Sequence, residues 1–261
     1  MENNLDWPIL PYKKDDIPHF LFIITLPFSG STALSQLINS SKKTMILHNK
    51  GEGQWLIPGL CDNNRWDSNK EVNYESVKSI WLNKYQEHNK INKNIEVVIE
   101  KSPPNMMRIM NLMKVFKNHS FLANNRNPYA QCASMLYRNY NPQQLSKILR
   151  EDIIKNLALK WVARSKVLKS LIIDLDIPLL TYEEFCKKPK SIKEVLTIPK
   201  DAISTIQVDA IVKVKDYKPQ KIINQNNRQI KNLTKNDIDV ISQVLSKNID
   251  LLKFFNYRIY Y

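Results

Sequence analysis

The feature that most constrains the fold of this chain is an apolar segment followed at once by a tight turn and a helix. Residues 20–25 form a continuous apolar run rich in β-branched residues, bounded by Pro18 and Pro27. A run that is apolar on both faces is typical of a strand buried inside a parallel sheet. Small residues then supply a turn, and apolar positions within residues 33–38 recur at helical spacing. The order of strand, loop and helix predicts an α/β unit.

The same alternation continues along the chain. We predict further strands at 44–47, 95–99, 120–123 and 177–181, and helices at 74–85, about 105–116, 153–172 and 234–254. Alternating strands and helices predict a three-layer α/β fold, in which helices flank a central parallel sheet. With 261 residues we expect one domain over 1–261, with an N-terminal extension at 1–17 and a surface loop over the ligand at 203–232.

The charge and the cysteines exclude several classes of protein. The net charge of +14 is compatible with nucleic acid, an acidic membrane surface or a small polyanionic ligand. No zinc-finger, RNA-recognition or basic-zipper pattern is present, so nucleic acid is disfavoured as a partner. The three cysteines, Cys61, Cys132 and Cys186, lack the spacing of a disulfide framework or a zinc site, and we expect no metal. The apolar runs are too short to span a membrane and the first residues do not resemble a secretory signal, so we expect a cytoplasmic protein.

The turn after the first strand has the character of an anion site. Ser29, Gly30, Ser31 and Thr32 lie between the predicted strand and helix, where backbone N–H groups and the positive end of the helix point at one spot. The turn lacks the Gly-Lys-Ser/Thr ending of the ATP-binding P-loop, which disfavours an ATPase or a GTPase. A phosphate-binding loop and an ordinary helix-capping turn both remain open at this point.

A second candidate phosphate site follows the strand at 120–123. Arg126 lies in the segment 125–128 that follows that strand, and Ser134 lies eight positions later on a helix that Pro128 begins. An arginine at a strand end and a serine two helical turns further on could both face one phosphate, as bidentate donor and hydroxyl donor. Two phosphate sites on neighbouring strand ends suit a bisphosphorylated nucleotide.

These two motifs resemble those of the sulfotransferases that use 3′-phosphoadenosine 5′-phosphosulfate (PAPS). Residues 25–34 look like the family's 5′-phosphosulfate loop, and Arg126 to Ser134 have the Arg-to-Ser spacing of its 3′-phosphate motif. The resemblance implies a P-loop NTPase-like sulfotransferase fold. It also implies that Ser29 to Thr32, Arg126 and Ser134 bind the donor.

Three further segments resemble the same family, in the same order along the chain. Residues 181–185 are similar to its Tyr-Glu-Asp-Leu segment, which implies that Tyr182 lies near the adenine. Residues 100–103 are similar to its Lys-Thr/Ser/Asp-Pro strand end, and residues 51–54 to the glutamate-bearing loop of the tyrosylprotein branch. The five segments cover about residues 20 to 190, and their common order is more specific than any one of them.

The chain departs from the family at one position. Sulfotransferases commonly carry Lys or Arg directly before the Ser-Gly of the loop, and this chain has Phe28 there. Charge that builds on the bridging oxygen still has to be stabilised, and Lys101 at the end of the strand at 95–99 is the best substitute. Either Lys101 takes this duty or activity is weakened or lost.

The resemblance implies transfer of a sulfuryl group from PAPS to a hydroxyl or amine acceptor. Glu52 is the candidate general base because its loop follows the second predicted strand, with Glu100 and His48 as alternatives. Glu100 and Lys101 are neighbours on a strand, so their side chains would point to opposite sides and could not both face the site. The acceptor could be a sugar, a peptide, a lipid or a small molecule. The rival readings are an inactive sulfotransferase-like nucleotide-binding protein and a basic nucleic-acid-binding module.

Overall fold

The structure is a computed structural model that describes residues 7–13, 16–49, 51–62, 64–214 and 218–260. Its central feature is a four-stranded parallel sheet made of β1 (His19–Thr25), β2 (Thr44–Ile46), β3 (Val97–Glu100) and β4 (His119–Asn124), in the order β2-β3-β1-β4. Helices flank this sheet, so the predicted α/β fold is confirmed. The register pairs His19 with Val97 and Thr44 with Val97, which aligns the start of the three strands.

Eleven α-helices lie in the part of the chain that the structure describes. In chain order they are α1 (Ser31–Ile38), α2 (Tyr74–Ile91), α3 (Ile109–Val115), α4 (Pro128–Asn139), α5 (Lys147–Leu175), α6 (Tyr182–Lys187), α7 (Ser191–Val195), α8 (Lys200–Ser204), α9 (Asn226–Ile230), α10 (Lys235–Ser246) and α11 (Ile249–Phe254). Two 3₁₀-helices, Gly53–Leu56 and Pro103–Met107, precede α2 and α3. None of the described helices has the length and apolar character needed to cross a membrane.

The described residues divide into two compact units. The first comprises Met1–Thr25, Ser31–Leu122 and Pro189–Ile222, and the second comprises Leu26–Gly30, Ala123–Lys188 and Ile223–Tyr261. Residues 1–6 and 14–15 of the predicted N-terminal extension and residues 215–217 of the predicted loop lie outside the described residues. The single domain predicted over 1–261 stays a prediction.

The core of the first unit explains why 20–25 is a strand. Phe20 and Phe22 of β1 lie side by side, with ring centroids 5.9 Å apart, and both contact Phe116 and the Trp81 ring of α2. All four aromatic side chains are buried. Aromatic side chains of this size dominate the energetics of a core. This cluster therefore holds α2 against the sheet.

The second unit is built around the 29-residue helix α5. Its buried side chains include Trp161, whose ring contacts the rings of Phe255 and Tyr257 edge-on. Arg150 of the same helix makes an ion pair with Asp237 of α10, at 2.7 Å between Nη2 and Oδ2. Ring packing and an ion pair thus hold the middle of the chain against its last 30 residues.

Three predicted elements differ from the structure. Residues 177–181 form one isolated bridge between Ala123 and Leu179 instead of a strand, because Pro178 lacks an N–H and Thr181 already caps α6. The helix predicted at 234–254 is divided into α10 and α11, since Asn248 leaves helical geometry and its side chain bonds the carbonyl of Val244. The helix predicted from about 105 is a 3₁₀ segment followed by α3.

Candidate functional site

The turn segment Leu26–Gly30, which belongs to the second unit, has an unusual backbone. Phe28 has φ 63° and Gly30 has φ 77°, both in the left-handed region. A bulky residue in this region is strained, and such strain is concentrated at functional sites. A Cβ at Gly30 would lie 2.2 Å from Cδ2 of Tyr182, so no other residue fits there. The turn predicted from Ser29 and Gly30 is therefore present, and the absence of a side chain at Gly30 lets the Tyr182 ring approach its backbone.

Arg126, the residue predicted to hold a phosphate, lies against this turn segment. Its Nη1 donates to the carbonyl of Phe28 at 3.2 Å, and its guanidinium lies 4.1 Å from the centroid of the Tyr182 ring. Only 4% of Arg126 is exposed, and burial lowers the pKa of its guanidinium. The structure thus brings Arg126, Tyr182 and the turn segment together.

Two further groups complete the bonding of Arg126. Its Nε donates to Oδ1 of Asn226 at 2.8 Å, and its Nη2 donates to Oε1 of Gln229 at 2.7 Å. Together with the turn segment and Tyr182, these residues form what we call the Arg126 cluster. Every oxygen that Arg126 contacts there belongs to a carboxamide or a backbone carbonyl.

Two buried polar atoms near the turn segment have no hydrogen-bond partner among the described residues. They are Oγ of Ser29 and Oε1 of Gln131. Gln131 lies on α4, and its Nε2 donates to the carbonyl of Pro27. A buried polar group without a partner costs free energy, so a bound polar group that supplied the missing hydrogen bonds would be stabilised here. The residues present therefore fit a polar ligand at the turn segment.

Ser134 and Tyr182, the other two residues of this unit that are predicted to bind the nucleotide, differ in their burial and in their hydrogen bonds. Ser134 is half-buried on α4, which begins at Pro128 as predicted, and its hydroxyl has no described hydrogen-bond partner. Tyr182 is buried, and its hydroxyl donates to the carbonyl of Ile223 and accepts from the N–H of Gln225. Burial raises the pKa of Tyr182 to about 12, so this phenol stays protonated. Its ring lies close to Gly30 and to the guanidinium of Arg126.

The carboxylate of Glu183 joins the segments around the Arg126 cluster. Its Oε1 accepts from the backbone N–H of Asn127 at 3.0 Å and from Nδ2 of Asn226 at 2.6 Å. Its Oε2 accepts from the Tyr257 hydroxyl at 3.0 Å. One carboxylate thus fixes Asn226 beside Arg126.

In the first unit, Lys101 forms a second cluster with Thr32, Glu52 and Arg65, which we call the Lys101 cluster. Nζ of Lys101 donates to Oγ1 of Thr32 at 3.3 Å and to Oε1 of Glu52 at 3.4 Å. Only 3% of Lys101 is exposed, and burial lowers the pKa of its ammonium group while the carboxylate of Glu52 opposes that shift. Ser31 and Thr32 form the first residues of α1. Thr32, Glu52 and Lys101 are thus brought together.

The loop that carries Glu52 is held by β3 and the residues after it. The N–H of Lys101 donates to the carbonyl of Gly51 at 2.9 Å, and the N–H of Gly53 donates to Oε2 of Glu100 at 2.7 Å. A Cβ at Gly53 would lie 2.8 Å from the Leu47 side chain. The chain has four glycines, and Gly30, Gly51 and Gly53 all lie at these two candidate sites. The residues on either side of Glu52 are therefore both held in place, Gly51 by Lys101 and Gly53 by Glu100.

Arg65 binds the second oxygen of Glu52. Its Nη2 donates to Oε2 of Glu52 at 2.8 Å, and its guanidinium lies 5.7 Å from the ring centroid of Trp55. The backbone carbonyl of Arg65 accepts from Arg108 at 2.9 Å, which anchors this loop. Glu52 thus lies between two cations, Lys101 and Arg65.

The two alternative bases are placed as follows. The carboxylate of Glu100 is fully buried, where it also accepts from Nδ2 of Asn105 at 2.9 Å, and burial raises its pKa. It serves to hold the Glu52 loop. His48 is half-buried after β2, and its carbonyl accepts from the N–H of Gly51. No group of three or more His, Cys, Asp or Glu side chains is arranged to hold a metal ion within the described ranges.

Some residues of these clusters have no signal in the sequence. Arg65, Asn226 and Gln229 lie outside every motif quoted above. Gln131 lies between Arg126 and Ser134, but the spacing of that motif marks only its two end residues. The proline and serine of a strand-to-helix turn are recognisable from spacing, whereas a glutamine that reaches a turn 100 residues away is not. These four residues are recognised as parts of the two clusters only from the structure.

Comparison with known proteins identifies the fold. No protein-family model matches the sequence, and no curated protein matches it either. Among solved structures, sulfotransferase STF9 from Mycobacterium avium matches 94% of this chain and 78% of its own, with 11% identity and a TM-score of 0.56. A sulfotransferase from Alicyclobacillus acidocaldarius matches 93% of this chain and 97% of its own, with 11% identity and a TM-score of 0.55. The chain therefore has a sulfotransferase fold.

A retinol dehydratase solved with retinol and PAP also matches, over 99% of this chain and 86% of its own, with 13% identity. Its TM-score of 0.45 is too low to support an argument from the fold.

Proposed function

We propose that this protein is a sulfotransferase that moves a sulfuryl group from PAPS to a hydroxyl or amine acceptor. The observation that carries the proposal is the contact of Arg126 with the turn segment, at 3.2 Å between Nη1 and the Phe28 carbonyl. The sequence predicts a phosphate site at each of these two segments, and a bisphosphorylated nucleotide needs both. The fold shared with two sulfotransferases supports the proposal further.

The donor would be held by seven residues, of which Ser29, Ser31, Arg126 and Tyr182 are already buried. Ser29, Gly30, Ser31 and Thr32 would bind its 5′-phosphosulfate, Arg126 and Ser134 its 3′-phosphate, and Tyr182 would lie near its adenine. The hydroxyl of Ser29 supports this assignment because it is buried and unpartnered among the described residues. The pairing of Arg126 with neutral oxygens supports it too, since an arginine forms stronger hydrogen bonds with a phosphate than with an amide.

The proposed reaction is a displacement at sulfur. The acceptor oxygen or nitrogen forms a bond to sulfur, and the bond from sulfur to the bridging oxygen of the 5′-phosphate breaks. Adenosine 3′,5′-bisphosphate leaves with that electron pair, and the acceptor proton passes to the carboxylate of Glu52. Lys101 would stabilise the charge that develops on the bridging oxygen. Its hydrogen bond to Thr32, the last residue of the loop motif, supports this role.

The experiment that tests the proposal is nucleotide binding by Arg126→Ala, measured by titration calorimetry with adenosine 3′,5′-bisphosphate. Loss of a charge-assisted pair should cost about 1.5–3 kcal/mol, which is roughly a 10- to 150-fold rise in Kd. The loss should be much smaller for 5′-AMP, which lacks the 3′-phosphate. Arg138→Ala, an exposed arginine on α4, is the control.

Two results would contradict the proposal. The first is equal binding of the bisphosphate by the parent and by Arg126→Ala. The second is no binding of the bisphosphate by the parent, combined with tight binding of nucleic acid that weakens steeply with salt, as expected of a basic nucleic-acid-binding module.

A further inference from the structure

The side edge of the Arg126 guanidinium, formed by Nε and Nη2, presents two parallel N–H groups that can hold two phosphate oxygens at once. In the structure Nε contacts Asn226 at 2.8 Å and Nη2 contacts Gln229 at 2.7 Å. Both residues belong to α9. This edge is therefore already occupied by two carboxamide oxygens of the same chain.

The two carboxamides are held with different strength. Asn226 is 7% exposed, and its Nδ2 is bound to the carboxylate of Glu183 at 2.6 Å. Gln229 is half-buried, and its side chain makes one hydrogen bond among the described residues, to Arg126. Moving Asn226 would break its hydrogen bond to the carboxylate of Glu183 as well as the one to Arg126, whereas Gln229 can turn towards solvent at the cost of one hydrogen bond. Gln229 is thus the contact that can be exchanged.

We propose that Gln229 is a specificity-determining residue, which competes with the 3′-phosphate of the donor for Nη2 of Arg126. The inference rests on the function proposed above. A nucleotide with a 3′-phosphate has to displace the Gln229 carboxamide, and it gains a charge-assisted bond in exchange. A nucleotide without a 3′-phosphate leaves the carboxamide in place. Gln229 therefore lowers the affinity for the bisphosphate and has no effect on a 5′-monophosphate.

The test compares the parent with Gln229→Ala in calorimetric titrations with adenosine 3′,5′-bisphosphate and with 5′-AMP. Removing a competing neutral hydrogen bond should lower the Kd of the bisphosphate about 3- to 10-fold and leave that of 5′-AMP unchanged. Gln243→Ala is the matched control, because it removes the same side chain from an exposed position on α10. It should change neither Kd.

Gln229→Glu is a second variant that does not depend on how α9 tolerates alanine. A carboxylate at this position would pair with Arg126 more strongly than an amide does. The Kd of the bisphosphate should rise at least about 10-fold, and the Kd of 5′-AMP should change less.

The inference is overturned if Gln229→Ala binds the bisphosphate more weakly than the parent does, since Gln229 would then be a ligand of the phosphate. An unchanged ratio of the two affinities in both variants overturns it as well. In these cases the Arg126→Ala result still supports the proposed function. If Arg126→Ala binds as the parent does, or if neither the parent nor a Gln229 variant binds the bisphosphate, both proposals are wrong.

Discussion

Lys101 and Arg126 are both buried cations that follow strands of the parallel sheet, but their charges are balanced in different ways. Lys101 is 3% exposed and has the carboxylate of Glu52 at 3.4 Å. Arg126 is 4% exposed, and within the described part of the chain no carboxylate lies at ion-pair distance from it. A buried charge without a counter-ion is costly. Arg126 is attracted by the Glu183 carboxylate only from beyond ion-pair distance, and this difference supports the proposal that the Arg126 cluster receives an anion, whereas the Lys101 cluster already contains one.

The largest expected effect comes from removing the counter-ion of Lys101. Glu52→Gln keeps the shape of the side chain and removes the proposed base, so turnover should fall roughly 10²- to 10⁴-fold. The measurement is release of adenosine 3′,5′-bisphosphate from PAPS with a panel of hydroxyl and amine acceptors. Glu87→Gln, exposed on α2, is the control. Full turnover in Glu52→Gln would remove Glu52 from the mechanism and leave the nucleotide assignment intact.

Replacing Lys101 itself should separate turnover from binding. If its charge acts on the transition state, Lys101→Ala should lower turnover about 10²- to 10³-fold and change the Kd of the bisphosphate little. The exposed Lys114 of α3 offers the matching control variant, Lys114→Ala. Parallel losses of turnover and affinity would mean that Lys101, like Arg126, is a binding residue.

The same residue should also set the alkaline limit of the reaction. Burial lowers the pKa of the Lys101 ammonium below its ordinary value. In the proposed mechanism only the protonated form of Lys101 stabilises the developing charge, so turnover should fall as the pH rises through this lowered pKa. Lys101→Arg stays protonated at any accessible pH, so its pH profile should lack that fall. An identical alkaline limb in the two proteins would contradict the assignment.

The smallest expected effect concerns Ser29 of the Arg126 cluster, whose hydroxyl has no described partner. Ser29→Ala removes a buried polar group that lacks a described partner, so the free energy of unfolding without ligand should rise by about 1 kcal/mol. Affinity for the bisphosphate should fall at the same time. Urea unfolding measures the first and calorimetry the second, with the exposed Ser68→Ala as control. A loss of stability would show that the hydroxyl has a partner in the free protein.

The sequence predicts the fold well where a pattern is local. The apolar run that became β1 and the helices that follow the two candidate phosphate motifs are found where the spacing places them. The strand predicted at 177–181 is wrong, because the segment forms only the bridge at Leu179 and the capping box of Thr181 and Glu184 then begins α6 at Tyr182. Apolar content alone does not distinguish a strand from a segment that leads into a capped helix.

The candidate sites are predictable only in part. Arg126 and the turn segment were predicted as phosphate sites from sequence, and the structure brings them into contact. The partners Asn226 and Gln229 were not predicted, since they lie in the Asn- and Gln-rich segment assigned to a surface loop. Both bind Arg126, which lies 100 and 103 positions earlier in the sequence, and no local pattern encodes contacts over such a separation. The same holds for Arg65 at Glu52.

The bonding of Glu183 has a consequence for how this region folds. Its carboxylate collects donors from Asn127, Asn226 and Tyr257, which are widely separated along the chain. The entropy of closing such long loops has to be lost before these contacts can form, so non-local clusters of this kind are completed late on the folding pathway. Contacts that form after the transition state influence the rate of unfolding more than the rate of folding. The environment of Arg126 would then be among the last parts of the protein to assemble. Loss of the Glu183 contacts would mainly shorten the lifetime of the native state.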